Sequence, residues 1–307
     1  MLTRIFAALI CLGLISGSPG SAEQASKART SQSLDELVST ERAFARFAVE
    51  NGIRESFIAF FADDGVNFQP HPTITKVAML KRPPTRLPLA FTLDWEPVYA
   101  DVAISGDLGY TTGPYSLKDN SPQPKPTSHG YYFSIWKRQA DLKWKVEVDC
   151  GISTPETNDT NRPKFRAALP GHYQSKVAVK LDAERVGLEQ IEREFSADAI
   201  KRGLWPAYSK VLAIEARIHR NSLFPLTDTK AISQLLQEQK SVVSWLPIHV
   251  EVSSAGDFGY TYGSYESRES STGKHTESGY YVHVWRRAPD AEWKLVLDTT
   301  SPLQEQN

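Results

Sequence analysis

The chain repeats itself. Residues 105–115 read SGDLGYTTGPY and residues 255–265 read AGDFGYTYGSY, with seven of eleven positions identical at an offset of 150. GYYFSIWKR at 130–138 recurs as GYYVHVWRR at 279–287, and WKVEVD at 144–149 recurs as WKLVLD at 293–298, both at an offset of 149. Upstream, Trp95-Glu96-Pro97 matches Trp245-Leu246-Pro247, and Glu41-Arg42-Ala43-Phe44 matches Glu192-Arg193-Glu194-Phe195. Order and spacing are kept throughout. Two copies of ~120 residues are each long enough to bury a core, and they are too long and too few for a solenoid.

Composition then removes whole classes. Of 307 residues, 35 are Lys or Arg and 36 are Asp or Glu, so the chain has no basic excess to offer a nucleic acid. Two Cys exclude a disulfide scaffold and any multi-Cys metal site.

Residues 1–22 carry Arg4, an apolar run from Ile5 to Ile15, and a small-residue stretch ending with Gly20 and Ala22 at the −3 and −1 positions of a cleavage site. That is the pattern of a secretory signal peptide, and the run is shorter than the roughly 20 residues of a membrane span. The expectation is an exported protein, periplasmic or extracellular, with no membrane span after signal removal. Without Arg4 the 35 basic residues become 34 against 36 acidic, a net −2, and without Cys11 only Cys150 remains. The expected organisation is a signal at 1–22, a flexible leader at 23–33, a first domain at 34–153, a polar linker at 154–181, a second domain at 182–300 and a tail at 301–307. The linker contains a formal glycosylation sequon, Asn158-Asp159-Thr160.

Each copy reads as helices followed by a meander of strands, which is an α+β pattern. Ser33 with Glu36 has the spacing of a capping box at a helix start, and Asp182 can cap the equivalent helix. Asn51-Gly52 and Gly203 end these helices. Second helices are expected at 55–62 and 205–213, and short ones at 76–80 and 230–237. Gly106-Asp107 and Gly256-Asp257 read as tight hairpin turns. The alternation of Trp144, Val146 and Val148 with Lys145, Glu147 and Asp149 predicts one buried face and one wet face.

The string Phe57, Phe68-Gln69-Pro70, Trp95-Glu96-Pro97, Ser105 to Gly113, Gly130-Tyr131-Tyr132, Trp136-Lys137-Arg138 and Trp144 to Asp149 resembles the nuclear transport factor 2-like superfamily, and within it the SnoaL-like branch of bacterial domains. The resemblance covers nearly all of the first copy and mainly the strand half of the second. It implies two tandem cone-shaped α+β domains, each a curved antiparallel sheet wrapped by N-terminal helices around a pocket. The superfamily includes isomerases, dehydratases, cyclases, binding modules and interaction domains, so fold does not give function. Ketosteroid isomerase pairs an Asp base with a Tyr and a protonated Asp, and that trio does not map residue by residue onto this chain.

A pocket needs a few polar groups on an apolar wall. Trp95, Tyr110, Tyr132 and Ser134 in the first copy, and Trp245, Tyr260, Tyr281 and His283 in the second, are the expected lining. Asp64, His219 and His283 are the candidates for acid–base chemistry. Against them, Asp63-Asp64-Gly65 also reads as a helix exit and turn, and His283 as a residue on the wet face of a strand. Asp149 and Asp298 read as strand-end residues, and Cys150 as a small buried residue. No metal-binding spacing and no phosphate or dinucleotide motif is present, so neither metal nor cofactor is expected. The leading expectation is a non-catalytic or weakly catalytic protein binding a small apolar or amphipathic molecule. A cofactor-independent isomerase, dehydratase or cyclase is the alternative, and a protein-interaction module a further one. The two domains would form an internal pseudo-dimer, or the chain a homo-oligomer. The enzyme reading requires a carboxylate or His in an apolar cavity of at least one copy.

Overall fold

The computed structural model describes residues 19–68, 70–156, 163–168 and 178–303. The body of the expected signal peptide, the sequon at Asn158, Gln69, His172 and the last four residues of the tail lie outside the described residues.

The first half runs α1 (Pro19–Asn51), α2 (Ile53–Phe60), β1 (Phe61–Phe68), β2 (Pro72–Ile74), α3 (Thr75–Leu80), β3 (Phe91–Trp95), β4 (Tyr99–Val102), β5 (Leu108–Asp119), β6 (Ser128–Arg138) and β7 (Trp144–Ser153). A two-residue strand, β8 (Arg166–Ala167), follows in the connecting segment. The second half repeats the plan as α4 (Leu181–Arg202), α5 (Leu204–Val211), β9 (Leu212–His219), α6 (Thr229–Glu238), β10 (Val242–Val252), β11 (Phe258–Arg268), β12 (His275–Arg287) and β13 (Trp293–Pro302). The fold is α+β with two separate sheets, ordered β2-β1-β7-β6-β5-β4-β8 with β3 also on β5, and β10-β11-β12-β13-β9.

Several local expectations need correction. The segment 23–33 is not a flexible leader but part of α1. Its polar residues dock instead of dangling: Thr30 Oγ1 donates to the Ile104 carbonyl, and Ser33 is buried against Gly106 in the turn before β5. Ser33 and Glu36 therefore sit inside the helix, where Glu36 pairs with Arg138 of β6 rather than closing a capping box. Asp182 caps nothing, since α4 starts one residue earlier. Asp63-Asp64-Gly65 is not a turn but lies within β1, which pairs in parallel with β7. The equivalent strand β9 pairs in parallel with β13, so the last strand of each antiparallel meander gains a parallel neighbour. Gly52 and Gly203 do end α1 and α4, with φ of 85° and 89° that favour glycine.

The largest correction concerns the faces of the sheets. Neither sheet has a wet face through its centre. Helices cover one face, giving a core of Phe44, Phe57, Phe61, Trp95, Trp136 and Val146 in the first half. Phe195, Tyr208, Trp245, Trp285 and Leu295 do the same in the second. The opposite faces pack on each other: Tyr110, Phe133, Ile135 and Val148 meet Phe258, Tyr260, Val284 and Leu297 in one shared layer. Its polar contacts are reciprocal. Asp101 accepts from Arg286 at 2.8 Å while Glu251 accepts from Lys137 at 2.6 Å. The Ile104 amide donates to Asp257 at 2.9 Å, and the Ser254 amide donates to Asp107 at 3.0 Å. In each set the second contact joins the repeat equivalents of the residues joined by the first, which is the contact pattern of a two-fold interface within one chain.

Candidate functional site

A one-residue irregularity builds the site in both halves. Ile135 pairs with Val148 but its neighbour Trp136 pairs with Val146, so Glu147 is the extra residue of a β-bulge. In the second half Val284 pairs with Leu297 and Trp285 with Leu295, leaving Val296 as the extra residue. Bulges re-aim the side chains that follow. Val146 faces the helices, Val148 faces the other sheet, and Asp149 then points back toward the helices. Asp149 and Asp298 are thus mid-strand residues facing cavities, not strand ends as their alternation suggested.

The first cavity, of about 260 Å³, lies between α1, α2, β3 and the sheet. Phe44, Phe57, Leu93, Trp95, Tyr115 and Tyr132 line it, together with Asp149, Cys150 and Gly151. Among the described residues, Asp149 is the only carboxyl in that wall. It accepts a hydrogen bond from Ser134 Oγ at 2.7 Å, and no cation among the described residues pairs with it. Burial pushes its pKa up to about 7, against the pull of the Ser134 bond and with a small push from Glu41. Tyr132 Oη is buried and makes no hydrogen bond. Burial raises the Cys150 thiol, and the Asp149 charge adds to that, so no thiolate nucleophile forms there.

Beneath the cavity floor sits Glu41 of α1, fully buried. It accepts from Trp95 Nε1 at 2.5 Å, Thr111 Oγ1 at 2.5 Å and Trp136 Nε1 at 2.8 Å. Burial raises its pKa to about 6, opposed by those three bonds. Glu41 thereby fixes the Trp95 ring that forms the cavity wall.

The second half has the same frame with different chemistry. Glu192, equivalent to Glu41, accepts from Thr261 Oγ1 at 2.8 Å and Trp285 Nε1 at 2.9 Å. Its other oxygen lies 2.8 Å from His283 Nδ1. Asp298 accepts from Arg220 at 2.6 Å and 3.0 Å and from Tyr208 Oη at 2.8 Å, and its Oδ1 lies 3.5 Å from His283 Nε2. Burial opposes charge on His283, but Glu192 and Asp298 outweigh it and hold the imidazole up to about 9. Arg220 and His283 keep Asp298 well below the usual carboxylate range despite its burial. This cavity is smaller, about 100 Å³, and its charges are answered internally.

The expected site residues divide accordingly. Trp95 and Tyr132 line the first cavity, and Ser134 sits behind it holding Asp149. Trp245, Tyr281 and His283 line the second. His283 is not on a wet face: it is 2 % exposed, because α4 covers that side of β12. Tyr110 and Tyr260 are not pocket residues. They lie in the layer between the sheets, where Tyr110 stacks near Phe258. Asp64 is exposed on β1, away from both cavities. His219 is buried with Nε2 unpaired, and burial together with Arg217 and Arg220 lowers its pKa to about 3, so it stays neutral. Glu41, Glu192, Arg220 and Tyr208 were not among the expected site residues. The first two stand identical at matching repeat positions within apolar helical stripes, and that was the signal for them.

No protein-family model matches the sequence, and no curated protein matches it. Solved structures do resemble parts of the chain. A conserved protein from Planctomyces limnophilus is 15% identical over 40% of this chain and 99% of its own, with a TM-score of 0.33. An NTF2-like protein with a cystatin-like fold from Novosphingobium aromaticivorans is 14% identical over 40% of this chain and 84% of its own, with a TM-score of 0.33. A ketosteroid isomerase-like protein from Erwinia carotovora atroseptica is 12% identical over 39% of this chain and 98% of its own, with a TM-score of 0.34.

Proposed function

We propose that the first half is a binding unit for a small apolar or amphipathic molecule and that the second half is its structural partner. The observation that carries this is the contrast between the cavities. The first offers about 260 Å³ of aromatic and aliphatic wall with one carboxyl and an unpaired phenol. The second is smaller, and a Glu–His–Asp–Arg network fills its polar needs. Pockets for drug-sized ligands start at roughly 300 Å³, so the first cavity suits a smaller molecule, with an apolar body and one polar group facing Asp149 and Tyr132.

Asp149 supports a second reading, cofactor-independent proton transfer. A carboxyl poised near 7 exists in both protonation states at neutral pH, which is what a general acid or base requires. Export to the periplasm or beyond is part of the proposal and is supported by the pattern of residues 1–22.

The test is a calorimetric titration with a panel of small hydroxylated, carbonyl and carboxylic amphiphiles. Saturable change in the wild type, lost in Leu93→Trp, supports the binding unit. A flat response across the panel, identical in both proteins, contradicts it. Turnover of any bound compound that vanishes in Asp149→Asn while binding persists would select the enzymatic reading.

A further inference from the structure

From α3 into the start of β3 the first half carries a segment whose character the second half does not repeat. Residues 76–91 read KVAMLKRPPTRLPLAF, with Lys76, Lys81, Arg82 and Arg86 and no acidic residue. The same stretch exposes large apolar side chains: Val77 is 48 %, Leu80 61 %, Leu87 74 % and Phe91 49 % exposed. Its counterpart, residues 230–241, is mixed in charge and exposes no large apolar side chain. The segment is held in place, not trailing. Arg54 of α2 donates to the carbonyls of Met79 and Arg82 at 3.1 Å and 3.0 Å, and the Thr85 amide donates to Glu55 at 3.1 Å. Thr85 and Leu89 pack against Gly52. Asp63 answers the charge of Lys76, whereas Lys81 and Arg86 stand in no ion pair among the described residues.

We infer that this segment docks the protein on an anionic lipid surface. Exposed apolar residues interleaved with cations match the chemistry of such a surface, where the apolar groups enter the headgroup boundary and the cations meet lipid phosphates. Charge complementarity selects this occupant, because Lys81 and Arg86, in no ion pair among the described residues and set among exposed apolar side chains, oppose a neutral apolar partner. No helix of the described residues is long and apolar enough to cross a membrane, so the contact is peripheral. The segment leads straight into Leu93 and Trp95 of the first cavity, which places that cavity next to the docked surface. The inference rests on the segment alone and holds whatever the cavity binds.

Flotation of the intact protein with vesicles tests it. Vesicles of phosphatidylglycerol and phosphatidylcholine should carry the wild type upward at low salt, and vesicles of phosphatidylcholine alone should not. K81Q/R86Q should weaken partitioning about 25-fold, at about fivefold per basic residue. L87S should weaken it about tenfold, the lost burial of one leucine. L246S removes a leucine of the second half that is also more than half exposed and should change nothing. Melting curves matching the wild type confirm that each variant is folded. Failure of the wild type to float with phosphatidylglycerol overturns the inference, as does flotation indifferent to K81Q/R86Q and L87S, or reduced as much by L246S.

Discussion

Replacing Asp149 by Asn should change how stability depends on pH, and the size follows from its surroundings. The carboxyl moves from 3.8 to about 7 on folding because burial disfavours its charge. Between those values the folded chain keeps a proton that the unfolded chain has released, so stability falls as pH rises through this window. At ~1.4 kcal/mol per pH unit the whole displacement is worth about 4 kcal/mol, of which about 2–3 kcal/mol falls between pH 5 and 8. Asp149 is only half-buried on the cavity wall, and water entering there screens its charge, so about 1–2 kcal/mol is expected. Asn has the same shape, cannot ionise, and can donate to Ser134 Oγ. Urea denaturation of both proteins at pH 5, 6, 7 and 8 gives the assay. Glu41, Asp101 and His283 titrate in both, so the difference between the curves isolates Asp149. Relative to the wild type, Asp149→Asn should gain about 1–2 kcal/mol from pH 5 to pH 8. Parallel curves would refute the claim that Asp149 is held in a charge-disfavouring wall.

Glu41→Ala should lose about 3 kcal/mol or more in denaturant melts, because it strands the Trp95, Trp136 and Thr111 donors in a dry core. Glu41→Gln, which keeps an acceptor, should lose less. His283 gains its proton affinity on folding, rising from 6.5 to about 9, so its contribution is complete below about pH 6.5 and is lost as pH rises through about 9. His283→Gln should remove that alkaline loss, as seen by comparing melts at pH 6 and pH 10. Arg286→Met should destabilise by about 3 kcal/mol, since it leaves Asp101 buried without its cation between the sheets; an unchanged melt would mean that this pair does not hold the halves together.

The repeat made the architecture legible. Matching motifs at offsets of 149–151 located two units, their turns at Gly106 and Gly256, and the helix stops at Gly52 and Gly203. What misled was parity. Counting by twos from Val148 assigns Asp149 to the face away from the core, and nothing in WKVEVD announces that Glu147 is an extra residue. The same count fails at Leu297 and Asp298 for the same reason. Tyr110 faces the other sheet, not the first cavity. It pairs across the sheet with Ile135, whereas Ser134 pairs with Thr111, so Tyr110 and Ser134 belong on opposite faces. The wet face was misjudged because each sheet finds its second cover in the other unit, a contact no single repeat encodes. Arg220 and Tyr208 converge on Asp298 from separate elements, so sequence neighbourhood gave no hint of their meeting.

The claim that the first cavity is the binding site, and the second its filled counterpart, is tested most directly by native mass spectrometry of the intact protein purified from its source. The wild type should carry a small amphipathic adduct. Leu93→Trp, which fills the first cavity, should fly as the bare chain, and Gln239→Trp at the second cavity should keep the adduct. An adduct retained by Leu93→Trp and lost by Gln239→Trp would contradict the account.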